Sequence, residues 1–380
     1  MQLIRNGKIH DAVHPRPYIA DILVDGGKIV KIGKIIDAEC DAIDAKGYDL
    51  WPGFIDAHTH IGMFGYGGKG AWTKDDVEFY RRCTPENRGI DCLNPREDSF
   101  EHALHAGVTT VCTGPGSVNC IGGTHAAVKT YGNRIDDMIV KNPVAMKIAF
   151  GENPKSTLKA QLSTRMTIAA EIRTELQRAK EYMDAKNEAS ANGTKLPAFQ
   201  PGYEALIPVL RREIPLKAHA HRADDVYTAI RIAKEFNCLL TLEHVSDAGE
   251  MLEDLKKEQL SVAAGPFISQ PQKPENQHAD PKNVIRMLEA GINVCMMTDS
   301  PIIAEQYLPL CAGLLMREGL DEFRALQTIT LNAAKHLRLE DRIGSIGAGK
   351  DADIVFAHGC PMDMRVKAEK VMINGQIVVA

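Results

Sequence analysis

The sequence predicts an α/β fold, a closed (β/α)8 barrel carrying a small β-sandwich built from both chain ends. Three observations predict it. From about Gly53 to residue 340, short apolar strand-like runs alternate with helical stretches; strand-and-turn patterns occupy the two termini; and no glycine-rich dinucleotide fingerprint follows a strand, which speaks against an open doubly wound sheet.

The elements follow in order. Residues 1–52 read as short strands: MQLIRNGKI, then IADILVDGGKIVKIG, with Asp25-Gly26-Gly27 as a turn between two runs rich in Ile and Val. The strands GFIDAHTHI, GVTTVCTG, PVAMKIAFG, LKAHAH, LLTLEHV, SVAAGPF and INVCMMTD come next, with a helix near 96–106 after the first and helices after most others. In ADDVYTAIRIAKEFN the apolar positions Val226, Ala229, Ile230, Ala233 and Phe236 share one helix face, and Asp224 or Asp225 suits the first turn. Such repeated βα units predict a parallel sheet in a TIM-like barrel. After residue 340 strands return in IGSIGAGKDADIVFAHG and AEKVMINGQIVVA, the latter with an Asn374-Gly375 turn. Neither end can bury a core alone, so the expected domains are a sandwich of 1–52 with 343–380 and a barrel of 53–342. Two stretches, Gly62–Asn94 and Ser156–Asn192, read as insertions of the kind that form lids or substrate walls.

Composition narrows the function. The 380 residues are 44% hydrophobic and 25% charged, which excludes disordered and collagen-like chains. With 45 Lys and Arg against 50 Asp and Glu the net charge is -5, so no basic excess exists to neutralise phosphates; a small-molecule partner is expected, not nucleic acid. Nine cysteines without a CxxC pair form neither a disulfide framework nor a zinc knuckle, and predict a reduced, cytoplasmic setting. The N-terminus reaches Arg5 and Lys8 without an apolar run, so no signal peptide is expected. His102–Val128 lacks Asp, Glu, Lys and Arg but is full of Gly, Thr, Ser and Asn, and reads as loops around a buried strand, not as a membrane span.

Candidate chemistry gathers at strand ends. His58 and His60 lie two apart in WPGFIDAHTHIG, so a strand's period of two puts both imidazoles on one face, where a single metal can take both. An HxH pair alone is weak. Here His219 in LKAHAHR, His244 in TLEHVSD and Asp299 in MMTDSP each follow an apolar strand run and would emerge at the same barrel mouth. Neutral imidazoles plus a carboxylate suit zinc and similar ions. His125, in GPGSVNCIGGTHAAVK read as a loop, His221 and Arg222 are candidates for binding a substrate carboxylate or carbonyl, against the plainer reading of surface or ion-paired residues. His102, His105, His278 and His336 lack partner spacing and read as structural; Gly67-Gly68 reads as a turn.

The HxH in PGFIDAHTH, the single histidines after two later strands, the Asp in MTDSP and the tail LNAAKHLRLEDRIGSIGAGKDADIVF together resemble the amidohydrolase superfamily, over essentially the whole chain. The sequence is most similar to its imidazolonepropionase-like and dipeptidase-like branches, with GVTTV and GENPK as supporting features. The resemblance implies one or two divalent metals, zinc first and manganese or iron as alternatives, activating a water that attacks a carbonyl carbon. By it His58 and His60 match first-strand ligands, His219 the fifth-strand ligand with His221 as fallback, His244 the sixth-strand ligand, and Asp299 the eighth-strand acid-base residue. For the bridging position KIAFGENPKS offers Glu152, which the Gly-Glu pair favours, and Lys147 as a carboxylated lysine. The implied activity is hydrolysis of a C–N bond in an amide, N-acyl amino acid, short peptide or cyclic amide. A deaminase of a heterocyclic base is the rival; a scaffold without catalysis is the reading from another class. Relatives commonly form homo-oligomers.

Overall fold

The computed structural model describes residues 1–64, 74–155 and 163–380. Gly67-Gly68 and parts of both expected insertions lie outside the described residues. The strands are β1 Gln2–Ile9, β2 Tyr18–Asp25, β3 Lys28–Gly33, β4 Asp41–Asp44, β5 Asp49–Pro52, β6 Phe54–Thr59, β7 Val108–Thr113, β8 Ile121–Lys129 and β9 Ile139–Ala149. They continue with β10 Leu216–Ala220, β11 Leu240–His244, β12 Val262–Ala264, β13 Val294–Met296, β14 Ile354–Ala357, β15 Ala368–Ile373 and β16 Gln376–Val379.

Both chain ends build one sheet. β1 pairs antiparallel with β2 and parallel with β4 and β5, while β5 pairs antiparallel with β14, setting Trp51 against Val355. The hairpins turn where the sequence places Asp-Gly-Gly and Asn-Gly. Gly26 and Gly27 have φ of 53 and 78, and Asn374 and Gly375 have φ of 48 and 77, the paired positive values that a two-residue hairpin turn needs. Ile4, Ile22, Ile29 and Leu50 from one end share a core with Ile354, Phe356 and Met372 from the other. This sheet is fastened to the barrel by buried Lys129, whose Nζ reaches Asp351 at 2.9 Å and also contacts Asp353.

The second sheet runs β6 through β13 with every strand beside its chain neighbours. Its ends meet through Asp299 N–H to His58 O (3.2 Å) and His60 N–H to Ser300 O (3.0 Å), which brings the last strand's exit against the first strand. The expected uniformly parallel order fails at one strand. β8 runs antiparallel to both β7 and β9, and residues 121–129, expected as a loop, are a fully buried strand. The cause is chain length: the link 114–120 is too short for the dozen or more residues of a parallel crossover, so it can only be a hairpin.

The helices bury the expected faces. Ala223–Glu235 buries Val226, Ala229, Ile230 and Ala233, with Asp224 and Asp225 in its first turn. Arg165–Asn192 is capped by Thr164, whose hydroxyl accepts from Thr167 N–H, and ends at Gly193 with φ 63; it buries Ile168, Ile172, Leu176 and Ala179. At the entry to β6 glycine is required: a Cβ on Gly53 would stand 2.1 Å from Thr109 Oγ1.

Candidate metal centre

β6 is buried along its whole length, and its alternation carries His58 and His60 to the end of the barrel. Two other members of the site sit in left-handed backbone conformations, His244 at φ 74 and Asp299 at φ 50. Such conformations cost non-glycine residues of order 1–3 kcal/mol each and persist where surroundings hold them. Here they fall at the exits of β11 and β13. His58, His244 and Asp299 each offer a ligand atom within 4.8 Å of one another, and so do His219, His221 and His244. Asp299 Oδ1 lies 3.4 Å from His58 Nε2 and 3.2 Å from His60 Nε2.

Hydrogen bonds on the far side of each ring set which nitrogen faces inward. His60 Nδ1 lies 2.7 Å from Gly114 O and His244 Nδ1 2.8 Å from Gly265 O; carbonyls only accept, so both Nδ1 atoms donate. His58 Nδ1 donates to Glu243 Oε2 at 3.0 Å, and His221 Nδ1 pairs with Ser246 Oγ at 2.8 Å. In the neutral rings the Nε2 lone pairs of His58, His60 and His244 then point into the site, the tautomer a metal needs. Among the described residues His244 Nε2 is buried with no hydrogen-bond partner, and an unpaired buried acceptor costs about 1–3 kcal/mol. A bare imidazole nitrogen facing a carboxylate at 3.2 Å is likewise two acceptors in contact. Both features fit a site made for a cation.

Electrostatics keep these groups in the ligating state. Burial holds the His58 imidazole down at about 4, aided by Lys147 and Lys217, and holds His244 at about 3. Burial alone would raise Asp299, but a proton carried toward it by the His58 or His60 ring holds it well below the usual carboxylate range. Lys147, on β9, is fully buried with Nζ 3.2 Å from His58 Nε2, and burial brings its amine down to about 8.

Beneath the site lies a buried ionic layer that the sequence reading missed. Glu243 pairs with Lys217 Nζ at 2.9 Å and with His336 Nε2 at 3.1 Å, and Lys217 also donates to Ala57 O at 2.9 Å. Burial opposes the Glu243 charge, but Lys217 and His336 hold its carboxyl far below the ordinary range. His336, expected to stand without partners, is thus tied to Glu243 and, through Nδ1, to Ser261 Oγ at 2.8 Å. The available signal was strand alternation, since Lys217 is two before His219. A second clamp joins the ends of β6 and β13: Asp56 accepts from Thr298 N–H (2.8 Å) and Oγ1 (2.7 Å), and Glu305 accepts from Thr59 Oγ1 (2.7 Å). Burial raises Asp56 to about 6 and, with Asp56 beside it, lifts Glu305 well above its usual value.

The remaining sequence candidates divide. His221 stacks on His244 with centroids 4.4 Å apart and lines the cavity. His125 is fully buried on β8, its centroid 5.9 Å from that of His58 and its Nε2 donating to Pro115 O at 3.0 Å. Glu152 and Arg222 are not brought in. Gly151, at φ 82, turns the chain at the end of β9, and the Glu152 carboxylate beyond it pairs with Lys155 and Arg165, each at 3.2 Å. Arg222 is half-exposed and paired with Asp224 at 2.9 Å. The site opens into a cavity of 350 Å³ lined by His60, His219, His221, Asp299, Asn153 and Lys273, among others. A larger hollow of 640 Å³, lined by Arg82, Glu171 and Tyr203, contains none of these donors.

Comparison with known proteins agrees with this architecture. An amidohydrolase from Thermotoga maritima MSB8 superposes with a TM-score of 0.95 at 38% identity, covering 100% of this chain and 99% of that one. A Xaa-Pro dipeptidase with bound methionine shares the fold at a TM-score of 0.61 and 17% identity, over 100% of both chains. By sequence, 94% of the chain aligns at 26% identity with amidohydrolase tasK of Hapsidospora irregularis, and 99% at 25% with an adenine deaminase of Listeria monocytogenes. The chain spans only 40% and 57% of the lengths of those two relatives. The family model described as "Amidohydrolase family" matches residues 50–378, a stretch that holds the barrel strands, the donor cluster and the C-terminal strands of the other sheet: the chain belongs to the amidohydrolase family.

Proposed function

We propose that the protein is a metal-dependent hydrolase that cleaves a C–N bond in a small amide, N-acyl amino acid, short peptide or cyclic amide. The observation that carries this reading is the pair of donor groups meeting at His244, with Asp299 in one of them and the bare His244 Nε2 between. His58, His60, His219, His244 and Asp299 would hold the ions, and Lys147, carboxylated on its amine, is better placed to bridge them than Glu152. Bound there, one or two divalent ions, zinc first by donor chemistry and manganese or iron as alternatives, would supply Lewis acidity at the scissile carbonyl and an acidified water.

The chain's own contribution is proton traffic and position. Asp299, kept ionised, takes a proton from the attacking water and returns it to the leaving nitrogen. Glu243, Gly114 O and Gly265 O orient the three imidazoles, and the cavity walls hold the amide against them. In this reading residues 53–342 form the catalytic barrel, and 1–52 with 343–380 form the second domain. Nine free cysteines support a reducing, cytoplasmic setting, and among the described residues no helix is long and apolar enough to cross a membrane. A homo-oligomer acting on a small molecule completes the proposal.

The alignment with adenine deaminases over 99% of the chain favours one second reading, deamination of a heterocyclic base. A panel of N-acyl amino acids, dipeptides, cyclic imides and aminopurines, assayed before and after chelation and with zinc restored, separates the two. Metal-dependent release of carboxylate and amine supports hydrolysis. Ammonia from aminopurines alone transfers the assignment to deamination, and activity untouched by exhaustive metal removal overturns both.

A further inference from the structure

The wall of the 350 Å³ cavity includes the loop after β12, with Pro266, Ser269, Gln272, Lys273 and Asn276. Within it Lys273 is an ammonium fixed in place. Its Nζ donates to Asn153 Oδ1 at 2.6 Å and to Glu275 Oε1 at 3.1 Å. Glu275 is itself fully buried, and its other oxygen accepts from Glu152 N–H at 2.8 Å. A lysine carries three donors, so one N–H of Lys273 has no acceptor among the described residues. Asn153 also links this cation to the metal-binding cluster, because its Nδ2 lies 3.4 Å from His219 Nε2 and 2.6 Å from Ser117 Oγ. The ammonium therefore stands one side chain away from His219, already immobilised, and the usual entropy cost of ordering a lysine on binding is reduced.

The same cavity holds two acceptors with nothing to accept. Asp76 Oδ1 and Asn276 Oδ1 are buried and lack hydrogen-bond partners among the described residues, and both residues line the wall. A ligand that satisfies this surface offers an acceptor to Lys273, held most strongly if it is an anion, and N–H groups to Asp76 and Asn276. An uncharged heterocycle supplies the N–H groups but not the anion. The volume is at the small end of ligand cavities, suited to a molecule of dipeptide size.

We propose that Lys273 anchors a substrate carboxylate, so that the cavity takes amides of amino acids bearing a free acid, N-acyl amino acids or dipeptides, in preference to neutral amides and uncharged bases. This rests on the hydrolase reading and narrows it. The test is calorimetric binding of N-methanesulfonyl-L-alanine, whose sulfonamide resists hydrolysis, and of its carboxamide, to the metal-loaded protein and to Lys273→Gln, Lys273→Met and Lys273→Arg. The acid should bind the unmodified protein at least about tenfold tighter than the carboxamide, the scale of one charge-assisted hydrogen bond. That preference should vanish in Lys273→Gln and Lys273→Met and survive in part in Lys273→Arg. An acid that does not bind, or a preference that Lys273→Gln leaves unchanged, overturns the anchor. Hydrolysis of N-acetyl-L-alanine and its carboxamide with equal kcat/KM would also overturn it while leaving the hydrolase reading intact. A Lys273-dependent preference in a protein that hydrolyses no amide would remove the hydrolase reading and leave the anchor standing.

Discussion

Glu243 Oε2 lies 3.0 Å from His58 Nδ1, and the same buried carboxylate binds Lys217 and His336. One acidic side chain thus turns the first strand's histidine toward the site and neutralises a lysine inside the barrel.

Glu243→Gln is therefore expected to act on both stability and metal binding. It strands Lys217 as an unpaired buried charge, which costs about 3–5 kcal/mol. It also loosens the hold on His58, which lowers metal affinity about 10- to 100-fold. Urea unfolding of the metal-free protein and competition with a chromogenic chelator measure the two effects; no change in either would refute the role.

Asp299→Asn should keep the fold and lose about 10²–10⁴ in kcat, because the amide cannot carry the proton from water to leaving group. Steady-state kinetics at saturating metal checks this. A variant that is inactive because it unfolds would instead mark Asp299 as part of the strand seam.

Lys147 and Glu152 are separated by metal content. Protein purified without chelators should retain its metal in Glu152→Gln and lose part of it in Lys147→Ala, since only Lys147 reaches the cluster. Elemental analysis reads this directly, and bicarbonate in the buffer should aid metal reloading of the unmodified protein and of Glu152→Gln but not of Lys147→Ala. The reverse order of metal loss would restore Glu152 as the bridge.

Acid should destabilise the metal-free protein above the range where ordinary carboxylates titrate. His58 and His244 have folded values near 4 and 3 against an ordinary 6.5, so below 6.5 the unfolded chain binds protons that the folded one refuses. Stability is full above pH 6.5 and declines as pH falls toward those values, by about 3 kcal/mol for His58 alone over the window. Urea midpoints at pH 7, 6, 5 and 4.5 follow the decline. A flat profile would mean that the rings are solvated or already protonated in the fold.

Much of this was legible in the sequence because histidines and a carboxylate at strand ends break an apolar pattern in a way that few other residues do. His58, His60, His219, His244 and Asp299 each follow a hydrophobic run, and the structure brings all five to one barrel end. The hidden parts share a different property. Lys217 and Glu243 are charges within buried strands, and only long-range pairing makes such positions intelligible. The direction of β8 depends on the length of a glycine-rich link that carries no periodicity of its own. Whether Glu152 or Lys147 faces inward turns on the left-handed bend at Gly151, which a count of residues along the strand does not reveal.

The seam between the first and last barrel strands gives the assembly a direction in time. Asp56 and Thr298 are 242 residues apart in sequence, yet their hydrogen bonds join the exits that carry His58, His60 and Asp299. A chain emerging from the ribosome displays its first two histidines long before the carboxylate that completes their donor set exists. In the proposed metal-dependent enzyme, tight ion capture would wait for ring closure, and metal uptake would become a record that synthesis and folding have both reached the end of the barrel.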